Sequence, residues 1–414
     1  MSDRERKNRS ALPRRDFLQK AAAIGIAGGL GTSVLDALAA EPTATLPFAN
    51  GERELVKYPE KRPLLRLSTR PPQLETPFEI FNEGIITPND AFFVRYHLAN
   101  IPASVDPDTY RIKIGGLVDT PLELSLNDLK TQFEPIEYIA VNQCSGNSRG
   151  FFEPRVTGGQ AGNGLMGNAK WRGVPLRKIL EKAGLQANAV QVTFNGLDGP
   201  VLPATPDFVK AFNVDDMMAD DVMLAYSMNG EDLPMLNGYP VRLIVPGWYG
   251  TNWVKHVSDI TVIDKVFNGF WMNPAYRIPN NPCACVEPGT AVKSSVPINR
   301  FDVRSFVTSL QSGATVKAGR ETVVRGIAFD AGFGITDVAL STDGGRTWRA
   351  ATLGKDMGKY SFREWKTSVK LSAGMHDIMV RAVNRIGQSQ PTRPLWNPTG
   401  YMRNVVESVQ VKAV

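Results

Sequence analysis

The chain has 414 residues, of which 43% are hydrophobic and 21% are charged, a globular composition with room for two or three domains. Its net charge of +6 is concentrated at the N-terminus, because residues 1–40 hold seven Lys or Arg and four Asp or Glu residues. The remaining excess of three positive charges is small and scattered, which argues against nucleic-acid binding.

The first forty residues have the pattern of an export signal. A basic head ends in an arginine pair at 14–15, a Gly/Ala-rich stretch covers 21–34, and Ala-Leu-Ala at 37–39 is a small-residue cleavage pattern. The segment resembles a twin-arginine signal, with Pro13 where Ser or Thr is usual. The alternative is a membrane-anchor or surface helix, but the apolar run is too short to span a bilayer. Because this pathway exports folded proteins, we expect a periplasmic protein that acquires a bulky cofactor first, with no membrane span in the mature form.

The next segments differ in pattern. Residues 41–75 are rich in proline and charge and are predicted to form an extended lead-in. Between 76 and 290, helices are predicted at 124–133 and 176–183, and buried strands at 191–194, 222–225 and 241–245. No regular βαβ repeat is present, so this region is predicted to be an α+β domain.

Residues 291–414 are predicted to form a second domain. Short runs of β-branched or aromatic residues, separated by turn signals such as Asp-Gly-Gly at 343–345, occur at 322–329, 337–341, 367–371, 377–383 and 405–411. This spacing predicts an all-β sandwich of the immunoglobulin type. The region has no cysteine pair, which excludes an antibody-like core disulfide but not the sandwich.

One of the three cysteines lies in an unusual setting. Cys144 follows a strand-like run at 136–141 and sits in VNQCSGNSRG, among turn-forming residues and a cation. Such surroundings make a thiolate accessible, so Cys144 is predicted to be a ligand or a nucleophile. Cys283 and Cys285 could form a disulfide or be two small buried residues, and we favour the second interpretation.

The short motifs of several other sites are missing. With only three histidines, the sequence has no HExxH, paired CxxC or GxSxG pattern, and no CxxCH haem attachment or P-loop, so no haem is expected in this chain. Arg95 and His97 would face the same side of an extended segment. Arg242 lies in an apolar strand and needs an anionic partner, either a carboxylate or a ligand phosphate.

Six segments occur in a diagnostic order: FFVRYH, CSGNSR, GNAKWRGV, NGxxLPxxxGYPVRLIVPG, VKH and WMNPAYR. Over about residues 75–414, this series resembles the sulfite oxidase family of molybdenum enzymes. With the export signal, the pattern is most similar to the catalytic subunits of bacterial periplasmic sulfite dehydrogenases. The resemblance implies a molybdopterin-binding catalytic domain at 76–290 and a sandwich at 291–414 that dimerises.

The resemblance also implies roles for individual residues. Cys144 would supply the thiolate ligand of molybdenum, whose other ligands are the pterin dithiolene and oxo groups. The catalytic pocket for a small anion would contain Arg95, Arg149 and Tyr276, with His97 orienting the tyrosine or contacting the pterin. The cofactor would also be held by Asp198, Asn237, Arg242 and Lys255.

Several positions depart from the family pattern. Asn237 replaces a histidine, and Trp253 lies near a position where relatives have a small residue or histidine. Thr399 occupies the place of a substrate-pocket arginine, and Arg403 is predicted to replace that cation. A pocket tryptophan expected near Ala161 is missing. These departures bear on affinity for sulfite more than on the cofactor.

The reaction that the resemblance implies is oxidation of sulfite to sulfate. Electrons would leave one at a time to a c-type cytochrome, either a tight subunit or a diffusible partner, with oxygen as the alternative acceptor. The assembly would be a homodimer or a heterodimer with a cytochrome. Rival interpretations are an exported molybdenum reductase acting on sulfoxides, whose relatives generally lack the sandwich, and a non-catalytic binding protein, which leaves Cys144 and its arginines unexplained.

Overall fold

The computed structural model describes residues 42–414, and the predicted export segment lies outside them. An N-terminal antiparallel sheet has five strands in chain order: β1 (Thr43–Thr45), β2 (Glu52–Val56), β3 (Leu64–Ser68), β4 (Gln73–Glu75) and β5 (Val94–Arg95). Four of these strands come from the segment predicted as an extended lead-in. The pairing of β4 with β5 fixes Arg95 opposite Gln73, and so positions the segment that carries Arg95 and His97.

The central region contains ten strands in two sheets. They are β6 (Arg111–Gly116), β7 (Leu122–Ser125), β8 (Ile136–Gln143), β9 (Met166–Pro175), β10 (Gln191–Gly196), β11 (Lys210–Asn213), β12 (Met223–Met228), β13 (Glu231–Asp232), β14 (Arg242–Ile244) and β15 (Val257–Ile263). One sheet has the order β11-β10-β15-β6-β7, with β15 and β6 parallel. The other has the order β13-β12-β9-β8, and β14 also pairs with β12. Apolar side chains of both sheets share one core, in which Trp171 packs edge-on against Phe92 and Trp253.

The helices of this region are short. They cover Leu126–Thr131, Leu176–Ala183 and Val214–Met217, and single 3₁₀ turns occur at Phe78–Asn82, Arg149–Phe151, Met235–Asn237 and Gly250–Asn252. The first helix begins after Ser125, whose side chain accepts from the Asp128 backbone in a capping box, because the preceding residues pair with β6. The second helix matches its prediction. Strands dominate the described chain, so the fold is mostly β.

The C-terminal region consists of strands alone. A two-stranded ribbon, β16 (Arg277–Pro279) and β17 (Ser295–Pro297), precedes β18 (Arg304–Val307), β19 (Ala314–Val316), β20 (Glu321–Phe329), β21 (Ile335–Ser341), β22 (Arg349–Ala350), β23 (Thr352–Leu353), β24 (Arg363–Lys370), β25 (Gly374–Asn384) and β26 (Glu407–Ala413). One sheet has the order β18-β20-β24-β23 and the other β19-β26-β25-β21-β22. Side chains of both sheets, including Trp365 and Ile378, form a separate core, as expected for two sheets packed face to face.

A buried charge cluster joins this region to the loop after β8. Arg304, whose side chain is 1% exposed, donates to the Ser148 hydroxyl at 3.0 Å and to Glu407 at 2.7 Å. Arg403 donates to the same Glu407 oxygen at 2.5 Å. The backbone N–H of Met402 also donates to the Ser145 carbonyl at 2.9 Å. The C-terminal region therefore supports the loop that contains Cys144.

The favoured prediction for Cys283 and Cys285 is wrong. The two residues form a disulfide, and Cys283 is exposed rather than buried. The Asn281 side-chain oxygen accepts from the Cys285 backbone N–H at 3.2 Å, and this surface turn brings the two Cα atoms to 5.1 Å, within disulfide reach.

Among residues 42–414, no helix combines the length and the apolar character needed to cross a membrane.

Candidate active site

A cleft of about 590 Å³ lies where the N-terminal sheet meets the central region. Eight of the predicted site residues line it, although they come from distant parts of the chain: Arg95, His97, Cys144, Asp198, Asn237, Arg242, Lys255 and Tyr276. Arg149 and Arg403 do not line it. The structure thus brings together the predicted metal ligand, most of the predicted cofactor ligands and one predicted pocket cation.

Cys144 is held in a turn directly after β8. Its backbone N–H donates to the Leu165 carbonyl at 2.9 Å, and its carbonyl accepts from Asn147 at 3.0 Å. The backbone N–H of Gly146 points at the Cys144 sulfur, with a separation of 3.4 Å. A half-buried sulfur that accepts a backbone N–H is suited to the thiolate state that a metal requires.

Arg95, His97 and Tyr276 form one hydrogen-bonded group at the cleft wall. The Tyr276 oxygen lies 2.5 Å from His97 Nε2 and 3.4 Å from an Arg95 guanidinium nitrogen. Tyr276 has a φ of 56°, a left-handed conformation that is uncommon for a bulky residue and is concentrated at functional sites. Arg95 and His97 reach the same hydroxyl, as the alternation of the sequence predicted.

The protonation states of this group follow from burial and charge. Burial raises the pKa of Tyr276, which opposes loss of its proton. Burial, and then the cations Arg95, Lys255 and Lys210, hold the pKa of His97 well below its usual value. His97 is therefore a neutral imidazole, and one hydrogen bond, whose direction follows from the His97 tautomer, joins its Nε2 to the Tyr276 oxygen.

Two cations of the cleft, the buried Arg242 and the half-buried Lys255, are poorly compensated. Among the described residues, Arg242 donates only to carbonyl oxygens, those of Asn237 at 2.8 Å and Trp253 at 3.3 Å, and its Nε has no partner. Burial lowers the pKa of Arg242 to about 9 and that of Lys255 to about 7. Burial raises the pKa of Asp198, against the opposing effect of Lys255. Since buried unpaired cations are costly, this end of the cleft is suited to an anionic ligand such as a phosphate.

Asn237 is already engaged on both sides of its amide. Its oxygen accepts from the Lys61 ammonium at 2.5 Å, and its nitrogen donates to the Phe93 carbonyl at 3.0 Å. Its backbone carbonyl accepts from Arg242. Asn237 therefore lines the cleft as a residue that positions Arg242.

Arg149 lies behind the cleft wall. Its guanidinium carbon is 4.8 Å from the centre of the Tyr401 ring, which stacks on Tyr276 at 5.3 Å. The space around Arg149 depends on glycines, because a Cβ at Gly146 or Gly158 would come within 2.9 or 2.8 Å of the guanidinium. The Arg149 Nε has no partner among the described residues.

The structure does not bring Arg403 to the cleft. Its pairing with Glu407 holds it in the charge cluster beside Phe151 instead. Thr399 donates to the Asn397 side chain at 2.9 Å, and Ala161 is fully buried. The cation expected in place of the arginine is thus not supplied from this segment.

Four residues around the site escaped prediction. Phe208 stacks on His97 at 3.8 Å, and Trp271 packs edge-on against Phe208 at 5.3 Å. Tyr401 forms the layer between Tyr276 and Arg149. Lys210 is fully buried near Tyr276, and the signal that could have revealed it is a lysine in the apolar run Phe-Val-Lys-Ala-Phe at 208–212.

Known proteins share both regions of this chain. Residues 97–271 match the oxidoreductase molybdopterin binding domain, and residues 295–414 match the Mo-co oxidoreductase dimerisation domain. The first match assigns a molybdopterin cofactor to the chain, and the second assigns its C-terminal region to dimerisation.

Individual relatives extend over nearly the whole chain. A sulfite oxidase of Gallus gallus is 33% identical over 386 residues, which cover 89% of this chain and 80% of that protein. The mitochondrial sulfite oxidase of Rattus norvegicus is 33% identical over 373 residues, which cover 86% of this chain and 67% of that protein. The crystal structure of the sulfane dehydrogenase SoxCD from Paracoccus pantotrophus has a TM-score of 0.71 at 25% identity, with 93% of both chains covered. The chain therefore belongs to the sulfite oxidase family of molybdopterin-dependent oxidoreductases.

Proposed function

We propose that this protein oxidises sulfite to sulfate. The observation that carries the proposal is the cleft itself, in which Arg95, Arg242 and Lys255 line the same space as the half-buried Cys144. Among the described residues, no carboxylate, including that of Asp198, lies within ion-pair distance of these three cations. A small dianion is attracted to such uncompensated charge. The sulfite oxidases among the relatives supply the identity of the anion.

The residues present fit the molybdenum-pterin cofactor. Cys144 would ligate the metal through its sulfur, and Arg242 and Lys255 would bind the pterin phosphate through charge-assisted hydrogen bonds. Asp198 would accept from pterin N–H groups. When bound, the cofactor supplies the oxygen atom that is transferred and accepts the two electrons that sulfite gives up.

The remaining residues bind and orient the substrate. Arg95 is the cation of the cleft nearest to Tyr276, and its planar guanidinium suits the oxygens of sulfite. Tyr276 is fixed by Arg95 and His97, so its oxygen has a defined place beside the anion. Arg149, one ring behind Tyr276, adds positive charge to the pocket through Tyr401.

Electrons would leave one at a time to a c-type cytochrome in the periplasm. The twin-arginine pattern supports the compartment. A protein acceptor is supported by exposed apolar side chains on two loops, of which the first also carries the cleft residues Asp198 and Phe208. The five side chains are called the apolar rim and are Leu197, Val201, Leu202, Val266 and Phe270. These are five of the twelve exposed large hydrophobic side chains of residues 42–414. The loops meet where Trp271 donates to the Pro206 carbonyl at 3.1 Å, and Phe208 between them lines the cleft.

The C-terminal region would be an immunoglobulin-like sandwich that mediates assembly. Its two sheets and single core support the sandwich, and the match to a dimerisation domain supports a dimer. We propose one of two assemblies. The chain forms a homodimer and meets the cytochrome as a separate partner, or it forms a heterodimer in which the cytochrome is the second subunit.

The test is sulfite-dependent reduction of cytochrome c by molybdenum-loaded protein, with Cys144→Ala as the blank. We expect reduction by the native protein and its loss, together with most of the molybdenum, in the variant. Exposed Lys113→Met, in the central sheet, serves as a control that keeps both. Molybdenum-loaded protein that reduces neither cytochrome c nor artificial dyes with sulfite would refute the reaction.

A second candidate substrate is a sulfane sulfur carried on a thiol. Two observations favour it: the similarity to the sulfane dehydrogenase SoxCD, and Thr399 at the place of an expected arginine, with aromatic Tyr401 in the wall. A pocket with fewer cations and more aromatic surface suits a larger and less charged substrate. A higher kcat/KM for a peptide persulfide than for sulfite would favour this candidate.

A further inference from the structure

One buried lysine beside the cleft has no place in the proposed mechanism so far. Lys210 begins β11 and is 1% exposed. Its ammonium donates to the Trp271 carbonyl at 2.8 Å and lies 5.3 Å from the centre of the Tyr276 ring. No carboxylate of the described residues lies within ion-pair distance of it, and burial alone lowers its pKa, to about 7. A lysine buried in this way is costly to the fold, which points to a functional reason for its place.

Lys210 is linked to the loop that presents Tyr276. Trp271 and Tyr276 belong to the same segment, and the Lys210 hydrogen bond ties that segment to the central sheet. Tyr276 adopts a left-handed backbone conformation, which persists only when its surroundings hold it. The bond to Trp271 is one such restraint.

Lys210 is also linked to His97. Phe208, two residues before Lys210 in the chain, stacks on the His97 ring at 3.8 Å. The groups that face His97 are the cations Arg95, Lys255 and Lys210 and the Tyr276 hydroxyl. The positive charges disfavour an imidazolium, so His97 stays neutral in its hydrogen bond with Tyr276.

We propose that Lys210 is a positioning residue for Tyr276. Its ammonium anchors the tyrosine loop and helps to keep His97 neutral, so that the His97–Tyr276 hydrogen bond is kept and the tyrosine oxygen stays directed at Arg95 and the substrate anion. The charge of Lys210 also strengthens anion binding in a pocket where Thr399 replaces an arginine. This inference rests on the proposed function for the identity of the anion, but not for the geometry.

The proposal has a defined pH dependence. Lys210 is charged below its pKa of about 7 and neutral above it, while Arg95 stays charged throughout. Anion affinity should therefore fall as pH rises through about 7. Replacement of Lys210 by methionine, which has similar length and no charge, should reduce the fall, and the part that remains belongs to Lys255, whose pKa is also lowered to about 7.

The first test is the affinity for sulfate, a non-reacting oxyanion, measured by calorimetry on molybdenum-loaded protein. At pH 6 we expect Lys210→Met to bind sulfate about tenfold more weakly than the native protein does. This is the effect expected when one positive charge is lost near a partly screened anion site. At pH 9 the two should bind equally. Lys210→Arg should restore binding at pH 6 and keep it at pH 9, and Lys113→Met, an exposed lysine of the same sheet, should match the native protein.

The second test reads His97 directly by NMR of protein with 13C-labelled histidine rings. The chain has only three histidines, so the His97 signal can be assigned by its absence in His97→Asn. We expect the His97 imidazolium to appear at higher pH in Lys210→Met than in the native protein. If Lys210 had only a structural role, Lys210→Met and Lys210→Arg would lower the thermal stability, but the titration of His97 would be unchanged.

The outcomes separate the two proposals. If Lys210→Met retains molybdenum but binds sulfate with the native pH profile, and its His97 titration is unchanged, the role of Lys210 is refuted. If the sulfate and NMR effects occur but sulfite is not oxidised, the substrate is wrong and the positioning role stands.

Discussion

Two cationic residues of the cleft, Arg242 and Lys255, lack an anionic partner within ion-pair distance among the described residues. Arg242 is buried and Lys255 is half-buried, and the described residues offer them mainly carbonyl oxygens and aromatic faces. Such positions are unfavourable in the empty protein and become favourable when an anion binds. The same residues that weaken the cofactor-free fold are therefore those that should bind the cofactor most tightly.

At the residue scale, Tyr276→Phe tests the role of the hydroxyl. The variant keeps the ring that stacks on Tyr401 but removes the oxygen that contacts Arg95 and His97. We expect kcat for sulfite to fall by roughly tenfold to a hundredfold, the range of a lost positioned polar group, with molybdenum content unchanged. Steady-state kinetics with metal analysis measures both. An unchanged kcat would exclude the hydroxyl from the reaction.

The sequence predicted some residues of the site and missed others for physical reasons. Cys144 was predicted from its turn-forming neighbours, and the roles of Arg95 and Tyr276 were implied by the resemblance of their short motifs to the sulfite oxidase family. Lys210 and Tyr401 act through contacts between segments far apart in the chain, and nothing in their immediate neighbours reveals those contacts. Arg403 was predicted as a pocket cation because it is near Thr399 in sequence. It pairs instead with Glu407, four residues further along the chain.

At the scale of elements, the loop of Cys144 depends on a carboxylate from another sheet. Glu75 ends β4 and is fully buried, where it accepts from the backbone N–H groups of Gly162 and Gly164 at 2.9 and 2.8 Å. Leu165, the next residue, accepts from the Cys144 N–H. The N-terminal sheet therefore fixes the segment on which the predicted metal ligand rests.

Glu75→Ala should loosen this support. Two buried N–H groups would lose their acceptor, so we expect a loss of about 2–4 kcal/mol in unfolding free energy and a lower molybdenum content. Denaturant unfolding and metal analysis measure the two effects. The control is Glu54→Ala, which removes a surface ion pair with Arg66 in the same sheet and should cost less than about 1 kcal/mol. Equal effects of the two variants would contradict the support role.

Sequence patterns predicted elements best where one element decides its own structure. The helix at 176–183 and five longer strands of the C-terminal region were predicted because their apolar spacing and turn residues are local signals, whereas the shorter strands of that region were not predicted. The N-terminal sheet was not, because its strands are short and rich in proline and charge, and they are stabilised by pairing with each other and with β5. The extended conformation of this segment could be predicted from the sequence, but the strands with which each of its strands pairs could not.

For the whole molecule, buried ionisable groups set how stability depends on pH. Burial raises the pKa of Glu75 from 4.5 to about 7, so its stabilising contribution is complete below pH 4.5 and is lost as pH rises to about 7. Burial lowers the pKa of Lys61 and Lys210 from 10.5 to about 7. Their contribution is complete above pH 10.5 and is lost as pH falls to about 7. The stabilising contribution of Glu75 is thus lost from the acid side, that of the two lysines is lost from the alkaline side, and both losses end near pH 7.

The lysines should therefore make the cofactor-free protein more stable as pH rises above 7, whereas below pH 7 the gain from Glu75 is opposed by His97 and His256, whose lowered pKa values cost stability as pH falls. We expect its unfolding temperature to rise from pH 7 toward pH 9.5. Scanning calorimetry across this range measures the rise. Lys61→Met or Lys210→Met should flatten it. A stability maximum at pH 7 in the native sequence would contradict the assignment.

The apolar rim beside the cleft has a consequence for the order of events in turnover. A protein acceptor that docks on the loop of Leu197, Val201 and Leu202 would lie next to Asp198 and Phe208, which line the cleft. The anion and the acceptor would then take turns at one entrance, and sulfate would have to leave before the acceptor docks. Initial-rate plots at several acceptor concentrations should give parallel lines, and excess acceptor should inhibit by competition with sulfite.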